Sequence, residues 1–210
     1  MTLAHAQLRD FLSSFRLDGD PVRVRNALLE FFPDLVSTYG DVAALLGADF
    51  YDSLRDVPPS AASFRAALSA PVQPEQAQGS ARWAVGSLFD GEPDGFMTRI
   101  TGSTQRLVLQ PGRDGIFDAA RRDPVRTGIA RVPSGPKTCE FCVMLASRGA
   151  VYGSELAAGG GGNEFHDDCD CVPTVIRSEG DYPEGHDLDE LIRLYAASSG
   201  IGRDIPLADR

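Results

Sequence analysis

Five side chains that can bind a metal fall in one stretch near the C-terminus: Cys139 and Cys142 in a C-x-x-C turn, then His166, Cys169 and Cys171. They include every cysteine in the chain. A C-x-x-C knuckle that meets a second cluster across a loop has the spacing a soft divalent ion needs. Two thiolates from one tight turn take two corners of a tetrahedron, and the second cluster supplies the others. Zinc is therefore the first reading. Cys139, Cys142, His166 and Cys169 would form a Cys3His set, with Cys171 as the competing or exchangeable fourth ligand. The helix-like segment 143–147 puts a helix N-terminus beside the first pair, which lowers thiol pKa. A thiolate-rich shell fills all four positions and leaves no place for water, so the site reads as structural, not catalytic.

Other chemistries fit less well. Disulfides or inert buried thiols are the plain alternatives, but a bond within Cys139/Cys142 or within Cys169/Cys171 closes too small a loop to stabilise much. A zinc deaminase needs H-x-E upstream of P-C-x-x-C; here no H-x-E precedes the cysteines and His166 lies downstream. A nuclease using His166, Asp167 and Asp168 conflicts with the acidic balance, and both aspartates read as solvated linkers between ligands. Proteolysis needs a nucleophile, a base and an orienting partner. Of the three histidines, His166 is taken by the cluster, and His5 and His186 read as surface residues. The expectation is a protein that is not an enzyme.

These residues need elements to position them, and the 210-residue chain has room for one ordinary domain with a small appendage. Its net charge of −10 makes non-specific attraction to nucleic acid weak or repulsive. No signal-like segment and no run of about 18 apolar residues stands out, so no membrane partner is expected and synthesis in a cytosol is. Lys137 is the only lysine among many arginines, a bias typical of GC-rich coding sequence.

Residues 1–123 read as helical. Leu8, Phe11, Leu12 and Phe15 recur at helical spacing, and that helix is expected to end near Asp18-Gly19. Asp20-Pro21 then caps a second helix carrying Val24, Ala27, Leu28 and Phe31 up to a break at Pro33. A third helix is expected from Asp34 to Arg55, bent at Gly40, with Val42, Leu46, Phe50 and Leu54 along one face. Ser60 is expected to open a shorter helix containing Phe64, Ala67 and Leu68, and another holds Trp83, Val85, Leu88 and Phe89. Phe96 to Ala120 fits helix or strand, with helix preferred.

After Pro124 the texture changes. Residues 124–177 read as a small α+β knuckle module with strand-like pieces at Ile129 to Val132 and Cys171 to Ile176. The run Gly159 to Gly162 is expected to be a loop tip. Residues 178–210 form an acidic tail whose eight carboxylates against three arginines make up half the net charge. Within it, Leu188, Leu191, Ile192 and Tyr195 mark a short helix with acids in its first turn. Docking on its own domain is the plain expectation, docking on a neighbouring subunit the alternative. The fold class is therefore mainly α, with a small zinc-knuckle module near the C-terminus.

The run from Arg131 to Tyr152, with Cys139 and Cys142 inside it, and the closing segment Phe165-His-Asp-Asp-Cys-Asp-Cys171-Val-Pro resemble the C-terminal module of phage head-morphogenesis proteins. These are the Mu F-like minor capsid proteins, in versions from phages of actinobacteria. Cys139 and Cys142 match that family's first pair, Gly149 and Tyr152 its strand, and His166, Cys169 and Cys171 its closing segment. Asp167 stands where proline is usual, and Asp170 replaces an arginine. The resemblance covers about a fifth of the chain. It implies a virion protein in few copies at the portal or the head interior, acting structurally in assembly or DNA packaging, with portal or other head proteins as partners. A capsid maturation protease and a host-side zinc-stabilised interaction module are the competing readings.

Overall fold

In the computed structural model, residues 1–58, 60–135, 137–152, 165–197 and 204–206 are described. Helix α1 (Thr2–Ser13) turns Ala4, Leu8 and Leu12 inward. Helix α2 (Pro21–Ser53) starts as the sequence anticipates, with the Asp20 carboxylate accepting from the Val22 amide at 2.9 Å and Pro21 in the first turn. It does not break at Pro33, however. The two helices expected on either side of that proline are one element of 33 residues. Proline cannot donate to the carbonyl four residues back, which here is Leu29 O. The Gln78 side chain donates to that oxygen at 3.3 Å instead. A partner on another helix replaces the missing bond, so the helix continues.

Gln78 belongs to α3 (Pro74–Phe89), which leads into α4 (Pro93–Arg122). The stretch that fitted helix or strand is thus helix, and it is the second long element. Helices α1 to α4 share a core of Leu8, Leu28, Phe32, Leu35, Phe96, Ile100 and Leu107, built at i, i+3 and i+4 spacings. Farther along, α2 and α4 come much closer together. A Cβ built on Gly112 would lie 2.6 Å from the Ala43 carbonyl oxygen, and one on Gly47 would collide with the Gly112 backbone. Gly40 faces the ring of Pro111.

This close approach changes which face of α2 is buried. The inward face carries Gly40, Ala43, Ala44, Gly47 and Ala48. Of the large apolar residues expected along one face, Val42 and Leu46 point outward, 52% and 61% exposed, whereas Phe50 and Leu54 pack against the cluster around Tyr51. Two helices approach this closely only when small residues line the contact.

The short helix expected from Ser60 is absent. Residues 62–73 run as an irregular connection held by polar contacts: the Asp52 carboxylate accepts from the Ala66 amide at 3.0 Å, and Ser69 Oγ donates to Pro111 O at 2.5 Å. These bonds satisfy the backbone in place of a helical ladder. Phe64 packs edge-on against Tyr51.

The C-terminal part contains β1 (Gly128–Pro133), β2 (Lys137–Cys139), α5 (Glu140–Ala146), β3 (Cys171–Ile176), α6 (Leu188–Ala197) and β4 (Asp204–Pro206). Strand β1 pairs antiparallel with β3, from Gly128 opposite Ile176 to Pro133 opposite Cys171. Strands β2 and β4 form a second antiparallel pair, which the sequence did not announce. Leu191 of α6 is buried against Val143 and Ala146 of α5, so the acidic-tail helix docks on its own chain. The run Gly159 to Gly162 lies outside the described residues.

A buried polar cluster ties the helices to this module. The Asp123 carboxylate accepts from Tyr51 Oη at 2.9 Å and from Arg55 Nε at 2.7 Å, while Arg177 donates to Leu54 O at 2.6 Å. Burial raises the Asp123 pKa, but the bonds from Arg55, the Val125 amide and Tyr51 outweigh it, and the carboxyl is held below its ordinary value. Burial, with Asp123 beside it, pushes Tyr51 up to about 12. The architecture is mainly α with a small α+β module near the C-terminus, as the sequence reading expects.

Candidate metal centre

The five side chains singled out in the sequence gather around Cys142, although they come from β2, α5, β3 and the turn before β3. Cys139 ends β2 and is the N-cap of α5, its sulfur accepting from the Cys142 amide at 3.4 Å. Cys142 lies one turn into α5, and Cys171 begins β3. His166 and Cys169 sit on a turn closed by the Cys169 amide donating to His166 O at 3.2 Å. Asp168 in this turn has a φ of 61°, a left-handed conformation that a short polar side chain tolerates. That reversal lets His166 and Cys169 both reach Cys142.

Two of the three closest separations match those of ligands on one tetrahedral ion, and the third, between Cys139 and His166, is a direct hydrogen-bond contact. His166 Nε2 lies 3.0 Å from Cys139 Sγ and 3.4 Å from Cys142 Sγ, and Cys142 Sγ lies 3.5 Å from Cys169 Sγ. An ion with bonds of about 2.0–2.3 Å holds its ligands roughly 3.4–3.8 Å apart. Two groups have their donor atoms within 4.8 Å of one another, Cys139/Cys142/His166 and Cys142/Cys169/Cys171. Cys142 is common to both. All four cysteines are free thiols.

The supporting contacts also fit a metal. His166 Nδ1 lies 2.6 Å from the Asp167 carbonyl oxygen. With that nitrogen donating, Nε2 faces the sulfurs with its lone pair, the arrangement in which metal-bound histidines are oriented. Asp167 itself is paired with Arg106 Nε of α4 at 2.6 Å, and a Cβ on Gly102 would lie 2.8 Å from the Asp167 Cβ. Asp170 accepts from the Gly135 amide at 3.0 Å and Thr138 Oγ1 at 2.9 Å. The two aspartates that depart from the Mu F-like pattern therefore fasten the ligand turn, one to α4 and the other to the β1–β2 connection. Asp167 is therefore not a solvated linker, contrary to the sequence expectation, whereas Asp168 is exposed as that reading anticipates.

Charge within the metal-free cluster alternates. Hydrogen bonding with Cys142 and His166 brings the Cys139 thiol down to about 4, despite partial burial. Bonds to Cys142 and Cys171 also lower Cys169. Cys142 is pushed up by hydrogen bonds with Cys139 and Cys169 and by burial. Cys171 is helped toward thiolate by Cys142, but its bond to Cys169 and its burial outweigh that and raise it. The bond to Cys139 raises His166 to about 9. Closely spaced sulfurs and an imidazole thus share protons in this cluster. A divalent ion can take the place of those protons.

Sequence reasoning missed the surroundings of the sulfurs. Arg113 of α4 and Arg131 of β1 each place their guanidinium carbon 4.1 Å from the centre of the Phe165 ring. They are 6% and 0% exposed. Arg113 donates to Cys169 O at 2.8 Å and Arg131 reaches Cys169 Sγ at 3.5 Å. The signal that could have found Arg131 is its place between Ala130 and Val132 in an otherwise apolar strand. Arg113 gave no such signal, because its contact spans 56 residues of sequence. His5 and His186, expected at the surface, are half-buried, with His186 stacked on Tyr182.

The fold and the cluster together define a helical protein with a thiol- and imidazole-lined knuckle at its C-terminal end. The chain belongs to the family described as VG15 protein, which it matches over residues 1–198. It is 35% identical over 153 residues to the Gene 15 protein of Mycobacterium phage D29, covering 71% of this chain and 54% of that protein. It is also 33% identical over 151 residues to the Gene 15 protein of Mycobacterium phage L5, covering 61% and 47%. The chain thus spans about half the length of the curated relatives it matches. No solved structure matches it. These are phage proteins, and among the described residues no helix is long and apolar enough to cross a membrane.

Proposed function

We propose that this phage protein is a minor head protein that acts structurally, at the portal or the head interior, during assembly or DNA packaging. The observation that carries the reading is the clustering of Cys139, Cys142, His166, Cys169 and Cys171 in two donor groups that share Cys142, in a chain of phage origin. The same residues carry the resemblance to the Mu F-like module. A structural zinc ion held by Cys139, Cys142 and His166, with Cys169 and Cys171 competing for the remaining position, staples the module together internally. The ion would fix the turn from His166 to Cys169 against α5. Its partners on this reading are portal or other head proteins, and it performs no catalysis.

An acidic chain suits this place because it repels packaged DNA non-specifically and leaves its apolar surfaces for protein contacts. Quantitative mass spectrometry of purified particles, comparing this chain with the portal and major capsid proteins, tests the reading. A few to tens of copies per particle is the expected result; absence from particles overturns it. Elemental analysis of the purified chain tests the metal separately, with one zinc per chain expected.

A further inference from the structure

Between α2, α4 and β3 lies a cleft of about 390 Å³. Leu46, Phe50, Leu109, Ile116, Val172 and Pro173 supply its large apolar lining. Its α2 wall is the outward stripe already described. Val42, Leu46 and Phe50 recur every four residues, so the cleft continues into an apolar ridge along the helix. Apolar surface this contiguous on a folded protein marks a contact site more often than chance exposure. The ridge is also the opposite of what packing inside the chain required, since that contact uses the glycine and alanine face.

A small molecule would suit the volume but not the chemistry. Such sites gather several polar groups to orient a ligand, whereas here the polar groups are already committed. Asp170 holds Gly135 and Thr138, Ser134 Oγ donates to Asp170 O, and Gln105 donates to Cys169 O. Among the described lining residues the only cation is Arg113, and it is turned onto Phe165 and Cys169 O. A ridge at four-residue spacing beside a groove is the form that accepts the apolar face of another helix.

Charge decides whose helix. Exposed Asp49 and Asp41 accompany the ridge on α2, and Asp170 stands on the opposite rim. A second copy would bring the same acids and a net charge of −10 against them. We propose that this groove docks an amphipathic helix of a different protein, with an apolar stripe flanked by arginine or lysine. The proposal rests on the reading of the chain as a partner-binding structural protein. Because Cys169, Asp170 and Val172 line the groove, the ligand turn also shapes its far wall.

The test uses the full, metal-loaded chain and a fluorescent synthetic helix of about 18 residues, five turns, made of leucine, alanine and arginine. Anisotropy should show saturable binding. A matched peptide with glutamate in place of arginine should bind at least about tenfold more weakly. Leu46→Asp should weaken binding of the arginine peptide by about tenfold or more, and Trp83→Asp, an exposed site on α3 outside the groove, should leave it unchanged. The signs discriminate, because Leu46→Asp makes the chain more acidic. Diffuse charge attraction would therefore strengthen binding, and that result overturns the proposal. So does an absence of saturable binding, or a concentration-dependent dimer of the chain that Leu46→Asp abolishes. Peptide binding is read on the isolated chain, so its failure leaves the particle census standing, and absence from particles leaves the groove standing.

Discussion

The helical region and the cysteine module bury their interiors with different materials. Leu8, Leu28, Phe32, Phe96 and Ile100 fill the space among α1 to α4 with side chains that have no polar atoms. In the module, the buried set around Phe165 joins Phe117, Ile129 and Leu145 to Cys142, Tyr152, Cys169 and Cys171, with Arg113 and Arg131 against the ring. The first core gains from removing apolar area from water, which is non-directional and tolerates small shifts. The second depends on hydrogen bonds, sulfur protonation and ion binding, each with its own geometry. The helices should therefore survive losses that collapse the module, while the module cannot lose a single ligand without consequence.

Cys142→Ser should give the largest effect, because Cys142 belongs to both donor groups. Structural zinc contributes on the order of 10 kcal/mol of apparent folding energy, and loss of a ligand forfeits most of it. Circular dichroism should keep the helical signal while the module becomes sensitive to protease, and elemental analysis should find no stoichiometric metal. A variant that retains one ion per chain would erase the distinction between the two regions. Phe32→Ala attacks the other side of the comparison. Removing this fully buried ring should destabilise the helices by about 3–5 kcal/mol while zinc stays bound.

Asp123→Asn probes the join, where the carboxylate holds Tyr51 and Arg55. It should cost about 2–3 kcal/mol and separate one thermal transition into two. Because the folded-state pKa of Asp123 is depressed, its stabilisation is present above the ordinary carboxylate range and is lost as pH falls through the lowered value. The asparagine variant should lack that acid-dependent loss.

The smallest effect expected is on the metal-free module alone. His166 is raised to about 9, so its imidazolium contributes stability that is fully present below the ordinary histidine pKa and lost as pH rises through about 9. An ion needs the neutral ring, so apparent metal affinity should rise with pH until that point as far as this group is concerned. Thermal melts of metal-free and metal-loaded protein across pH would show the loss in the first and not in the second.

Local signals were readable where one residue type has one consequence. Asp20-Pro21 started α2 as its cap chemistry requires, and the apolar spacing of Leu8 and Leu12 placed α1. Pro33 misled because its effect depends on a partner for Leu29 O, and Gln78 supplies that from 49 residues away. The Val42–Leu46–Phe50 stripe misled for a related reason. Periodicity shows that a face exists, but not whether the chain itself covers it. Phe64 sits in an irregular connection because Asp52 and Pro111 offer its neighbours better bonds than a short helix would.

What the sequence determined alone was the composition of the cluster and the helical character of most of the chain. Thiol and imidazole spacing, caps and periodicity are properties of neighbours, so they are written locally. Only the tertiary structure decided that the five donors gather around Cys142, that Arg113 and Arg131 share one phenylalanine ring, and that α2 buries Gly40 and Gly47 while showing Leu45 and Leu46. Those outcomes depend on how closely α2 and α4 can approach, and that distance is set by residues far apart in sequence meeting across the core.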